Sequence, residues 1–187
     1  MKKISNTIVF FGSGPVAAQS LELLYKSFAI ELVITKPRPL HHKGAVPVID
    51  VAQKLGLPTV FVDNKQALDE VIAAGTISST IGILIDFGII VSQKVIDYFP
   101  LGIVNSHFSL LPEWRGADPI TFAVLSGQQQ TGVSLMLLVE AMDEGPLLAQ
   151  KTYQLPSSIT TPELTGRLIE LSAKMLKECI PTYMAGN

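Results

Sequence analysis

The feature that most constrains this chain is an alternation. Short runs of apolar, β-branched residues take turns with longer segments whose apolar residues recur every three or four positions. Residues 7–11, 31–35, 59–62, 80–85 and 102–107 read as strands, and 15–27, 46–55, 65–74 and 92–98 as helices. Between them, residues 36–45 are rich in Pro, His, Lys and Gly and read as a loop. Such alternation predicts a parallel sheet covered by helices on both faces. Residues 132–140 and 147–155 are also strand-like, with no helix between them, which predicts an antiparallel addition near the C-terminal end. A closing helix is expected over 162–184, with Thr161 as N-cap, Pro162 in the first position and Gly186 at the end. With no internal repeat, low-complexity tract or interdomain linker, residues 1–187 are expected to form a single α/β domain. Ligands of open α/β sheets bind beyond the carboxyl ends of the strands. That rule points to residues 12–15, 86–90 and 105–112 and to Asp143.

Composition narrows the class. Hydrophobic residues make up 48% of the chain and charged residues 16%, which fits a folded globular protein and not a disordered one. The net charge of −2 excludes a surface built mainly to hold nucleic acid, so any such contact is expected to be local. Cys179 is the only cysteine, which excludes an intrachain disulfide and a cysteine-based zinc site. The apolar run near the N-terminus is broken by Gly12 and Pro15, too early for a membrane span, and carries no cleavage pattern. A cytoplasmic protein is expected.

Four motifs bear on chemistry. Gly12, Ser13, Gly14 and the following Pro15-Val16-Ala17 fit G-x-G-x-x-A between a strand and a helix. The dinucleotide fingerprint also wants an acidic residue ending the second strand, and Thr35-Lys36 stands there, so NAD is disfavoured. The turn either serves only as a tight turn or holds a phosphate or a substrate carbonyl. Asn105 and His107 are two apart in a strand and so project to the same side. An amide beside an imidazole suits acyl transfer: one stabilises an oxyanion, the other handles protons. A strand-end histidine bonded to a loop carbonyl is the plain alternative. The Ser109-Leu110-Leu111-Pro112 run, continued by Glu113-Trp114-Arg115-Gly116, is either a loop packed on the core or the wall of a pocket for a flat apolar ligand. Met142-Asp143-Glu144-Gly145-Pro146 is either a turn or the source of an aspartate that orients His107 or holds a water.

Taken together, these residues resemble the folate-dependent formyltransferase family, and most closely the catalytic domain of its methionyl-tRNA branch. The family pattern runs N-x-H-x-S-L-L-P, R-G, T-G-V, D-x-G. The chain supplies Asn105, His107, Ser109 to Pro112, Arg115-Gly116, Thr131-Gly132-Val133, and Asp143 with Gly145, in the same order and at matching spacing. Trp114-Arg115-Gly116-Ala117-Asp118-Pro119-Ile120 and the basic Lys36-Pro37-Arg38-Pro39 stretch are similar to the methionyl-tRNA branch. Phe108 stands where a proline often follows the family histidine. The usual second, β-barrel domain of that branch is expected to be absent.

The resemblance implies a Rossmann-like fold and 10-formyltetrahydrofolate as donor, with no metal. The partners it implies are folate and the acceptor end of initiator methionyl-tRNA, with neither membrane nor DNA. Asn105, His107 and Asp143 would be catalytic: the first two hold the oxyanion left when a neutral amine attacks the formyl carbon. Asp143 would stabilise the His107 cation and position a water. Folate would lie along Phe87, Gly88, Ile89, Ile90 and Val91 and against Ser109, Leu110, Leu111 and Pro112, with Met142 and Glu144 nearby. The acceptor would meet Gly12, Ser13 and Gly14, the basic residues Lys36, Arg38, His42 and Lys43, and Arg115. Other outcomes are an amino sugar or glycinamide ribonucleotide as acceptor, hydrolysis of the donor on the same residues, or folate binding without turnover.

Overall fold

A computed structural model describes residues 7–38, 44 and 46–186. The chain divides into two compact units, Met1–Ile103 and Val104–Asn187, and the boundary falls inside a strand, not in a linker. Within the first unit the paired strands run parallel, and within the second they run antiparallel.

The first unit holds β1 (Thr7–Phe11), α1 (Pro15–Tyr25), β2 (Ala29–Thr35), α2 (Pro47–Lys54), β3 (Thr59–Phe61), α3 (Lys65–Ala73), β4 (Gly82–Leu84) and α4 (Gln93–Tyr98). β1 pairs in parallel with β2 and β4, and β2 with β3. Ile8, Val9, Phe10 and Phe11 are all fully buried, as a strand flanked by helices on both faces requires. Leu21 and Leu24 of α1, Val48 and Ala52 of α2, and Leu68 and Ile72 of α3 are buried with them. Phe11 meets Phe87 and Phe99 edge-on, at centroid distances of 5.7 and 5.9 Å.

β5 (Ile103–His107) opens the second unit, followed by α5 (Pro119–Leu125), β6 (Gln130–Leu137), β7 (Leu147–Gln154) and α6 (Thr161–Met184). β5 pairs antiparallel with β6, and β6 with β7. On one side of β5, Ser106 reaches Ser172 of α6, oxygen to oxygen at 2.7 Å. α6 buries Leu164, Leu168, Ile169, Ser172, Met175, Leu176 and Ile180, a stripe at helical spacing.

Three differences from the sequence reading have clear causes. The N-cap of α6 is Thr160, one residue earlier than expected, because the Glu163 carboxylate accepts from both its N–H (2.9 Å) and its Oγ1 (2.7 Å). The strand expected over 132–140 ends at Leu137, whose N–H already meets Pro146 O at 3.0 Å as the chain turns back. Gly145 sits so close to Leu137 O that no Cβ would fit there. The third is the short α5, which the sequence reading does not anticipate: with only Ile120 and Ala123 buried, it shows no helical stripe.

Candidate active site

In the second unit, Asn105 and His107 leave the same face of β5, each only 7% exposed. Opposite them on β6 stand Met136 and Ser134. The loop beyond His107 is built around Ser134. Its hydroxyl donates to Ser109 O (2.7 Å) and accepts from Leu111 N–H (3.0 Å) and Gln150 Nε2 (2.9 Å). Gln150 also donates to Leu111 O, at 3.1 Å. Ser109 closes the next turn by donating to Glu113 O at 2.6 Å, and the Leu111-Pro112 bond is cis.

This loop returns to the histidine through its backbone. His107 Nε2–H donates to Trp114 O at 2.8 Å, so the chain fixes which edge of the ring faces the loop. Trp114 has φ 53° and Gly116 φ 86°, and this unusual path brings the carbonyl of one and the N–H of the other to bear on the site. The Trp114 ring stacks on Phe122 at 5.7 Å and donates from Nε1 to Gln128 (3.1 Å). It therefore packs on its own unit.

Asp143 completes the group from the turn between β6 and β7. Its side chain is 9% exposed. One carboxylate oxygen accepts from Asn105 Nδ2 at 3.2 Å, and the other accepts from Gly116 N–H at 2.7 Å and lies 3.7 Å from His107 Nδ1. One carboxylate thus orients the amide and faces the ring nitrogen that the Trp114 carbonyl leaves over. Asn105, His107 and Asp143, 38 residues apart at the extremes, come together. That reading misses Trp114 O and Gly116 N–H. Nearby, Arg115 pairs with Glu144 at 2.9 Å, both half exposed, and Met142 is 68% exposed.

The first unit holds the remaining candidates. Beyond β4, Asp86 (φ 47°) and Gly88 (φ 65°) turn the chain, Phe87 and Val91 are buried, and Ile90 is exposed. Gly12 packs so tightly that a Cβ would lie 2.6 Å from Ala17 Cβ and 2.8 Å from Ile85 O. Lys36 N–H donates to Ser13 Oγ (3.2 Å), and its ammonium lies against Gly88. Arg38 donates to Gly44 O (2.7 Å) and lies 3.7 Å from Asp50. His42 and Lys43 lie outside the described residues.

A family model described as formyl transferase matches residues 6–180. The chain belongs to the formyl transferase family. Methionyl-tRNA formyltransferase of Bifidobacterium adolescentis is 36% identical over 178 residues, covering 90% of this chain and 55% of that protein. The enzyme of that name from Roseiflexus sp. is 35% identical over 185 residues, covering 96% and 57%. The chain thus spans little more than half the length of these curated relatives. Among solved structures, phosphoribosylglycinamide formyltransferase from Brucella melitensis superposes with a TM-score of 0.79 at 23% identity, over 97% of each chain. The Streptococcus pneumoniae protein of that name gives 0.77 at 23% identity, over 95% and 98%. These likenesses establish the formyltransferase fold, and among the described residues no helix is long and apolar enough to cross a membrane.

Proposed function

We propose that this chain transfers the formyl group of 10-formyltetrahydrofolate to the amino group of methionyl-tRNA, in the first step that marks an initiator for translation. The observation that carries the reading is the buried Asn105–Asp143–His107 group. The donor fits its chemistry. A formyl oxygen accepts hydrogen bonds, and Asn105 Nδ2 spends one hydrogen on Asp143 and keeps a second to give. The relatives named methionyl-tRNA formyltransferase support the choice of acceptor.

When bound, the donor supplies a formyl carbonyl open to attack by a neutral amine. Asn105 would direct its second amide hydrogen at the carbonyl oxygen as negative charge grows there. The His107 cation would add Nδ1–H, while Trp114 O holds the other end of the ring. Asp143 would stabilise that cation and, through a held water, pass a proton from the amine to the departing nitrogen. For the donor we propose Ser109, Leu110, Leu111, Pro112, Met142 and Glu144, and the segment from Phe87 to Val91. For the acceptor we propose Arg115 and the basic residues Lys36, Arg38, His42 and Lys43.

The test is a formylation assay with charged initiator tRNA beside glycinamide ribonucleotide and an amino sugar. Formylated methionyl-tRNA supports the proposal. Transfer only to a small amine would move the acceptor and keep the chemistry. Donor binding without transfer to any amine would sink it.

A further inference from the structure

Between residues 114 and 118 the backbone enters the left-handed region at Trp114 (φ 53°), Gly116 (φ 86°) and Asp118 (φ 58°). Glycine takes that conformation freely, and aspartate tolerates it, here as the N-cap of α5. For a bulky tryptophan it is an outlier, which persists only where the surrounding contacts outweigh its cost. Those contacts are on the ring. It stacks on Phe122 at 5.7 Å with only 9° between the planes, and its Nε1–H donates to Gln128 Oε1 at 3.1 Å. The Gln128 amide is itself aimed, since its Nε2 donates to the carbonyl of Gln130, the first residue of β6, at 2.6 Å. The short α5, which buries only Ile120 and Ala123, thus carries Phe122 to the indole.

What the held residue delivers is its carbonyl, 2.8 Å from His107 Nε2. A carbonyl cannot donate, so while this contact lasts the proton of a neutral His107 sits on Nε2. Asp143 pulls the other way. Its carboxylate oxygen faces Nδ1 from 3.7 Å and favours a proton there. We propose that Trp114 is a positioning residue whose ring, clamped by Phe122 and Gln128, sets the tautomer of His107. Nε2 keeps its proton throughout, and Nδ1 is left bare to take a proton up and to give it back. The resulting cation then has Trp114 O at one nitrogen and Asp143 at the other. The consequence for catalysis rests on the formyl-transfer reading, but the tautomer does not, and it can be measured with no substrate present.

The experiment reads the ring nitrogens of His107 by two-bond nitrogen–proton correlation, in the alkaline range where an imidazole is neutral. The chain has three histidines, so the His107 signals are identified by their loss in His107→Gln. The parent should show the Nε2–H form. Trp114→Ala keeps the cost of the left-handed backbone and removes the ring, so the ratio of tautomers should move toward Nδ1–H by about fivefold. Trp114→Phe keeps a ring on Phe122 and should lie between the two. Gln128→Ala should move the ratio the same way by about twofold, and Gln128→Glu, which still offers Nε1–H an acceptor, should restore it. A folded Trp114→Ala with the parental ratio would overturn the proposal. If Trp114→Ala loses its spectral dispersion, the Gln128 pair decides, and a parental ratio in Gln128→Ala would overturn it. In single-turnover transfer, Trp114→Ala should be about tenfold slower with the donor KM unchanged. A chain that formylates no acceptor leaves the tautomer result standing, so the two readings fail separately.

Discussion

Replacing Asp143 by Asn changes one atom of the site, and the structure says what that atom does. Both carboxylate oxygens accept, from Asn105 Nδ2 at 3.2 Å and from Gly116 N–H at 2.7 Å. A side-chain amide has one acceptor and one NH2, so whichever way it turns, a donor meets a donor. A buried donor left unmatched costs about 1–3 kcal/mol. The substitution also removes the charge that faces His107 Nδ1 from 3.7 Å. Opposite unit charges at that separation attract by about 4 kcal/mol at an effective dielectric of about 20. If only the state with a cationic His107 feels that loss, turnover should fall by about three powers of ten, since each factor of ten is about 1.4 kcal/mol. Donor affinity should stay within about threefold, because the ground state holds a neutral formyl group. Single-turnover formylation beside equilibrium donor binding separates the two quantities, and thermal unfolding measures the share lost to stability. A variant within tenfold of parental turnover would refute the assignment of charge stabilisation to Asp143. Loss of donor affinity as large as the loss of turnover would make the carboxylate a binding group instead.

His107→Ala should lower transfer by about two to four powers of ten with donor affinity nearly unchanged; near-parental turnover in a single-turnover assay would remove the imidazole from the chemistry. Replacing Lys36, Arg38 and Lys43 by Ala together should raise the KM for methionyl-tRNA and flatten its salt dependence by roughly one unit of slope for each phosphate no longer neutralised. Donor hydrolysis should not change, and an unmoved salt slope would place tRNA elsewhere. Glu31 is held below the usual carboxylate range: burial acts to raise it, but hydrogen bonds from the hydroxyls and N–H groups of Ser78 and Ser79 together outweigh that. A depressed folded value gives stability that is present above the unfolded value and lost as pH falls through the folded one. Glu31→Gln should therefore be less stable than the parent at neutral pH and converge with it in acid, as thermal unfolding against pH will show; a constant gap would contradict the assignment.

Residues 7–11 are legible as a strand because five consecutive strand-forming residues stop at Gly12, and the burial of Ile8 to Phe11 on both faces is what such a run reports. α5 carries its start signals, Asp118 before Pro119, but a helix of only seven residues is too short for its period to stand out. The α6 cap is easily misplaced by one because Thr160 and Thr161 are chemically alike, and only the three-residue spacing to Glu163 tells them apart. Within the site, the shared direction of Asn105 and His107 follows from strand periodicity alone. The approach of Asp143 does not, since it depends on how β6 and β7 return the chain. Trp114 O and Gly116 N–H are backbone groups, present at nearly every position, so side-chain identity cannot single them out.

Ser134 is paired in register with His107 across β5 and β6, and its one hydrogen and two lone pairs are all committed. Paired residues of an antiparallel ladder project to the same face. The alignment of two strands therefore sets the histidine and the anchor of its loop side by side. A slip of β6 by a single residue would set Val133 or Leu135 opposite His107 and turn Ser134 to the other face. It would remove the hydroxyl from the Ser109 carbonyl and the Leu111 N–H at once. The loop then has little freedom to drift by itself: its shape is inherited from the ladder, and a lineage that remodels it must first change which residues face each other across the sheet.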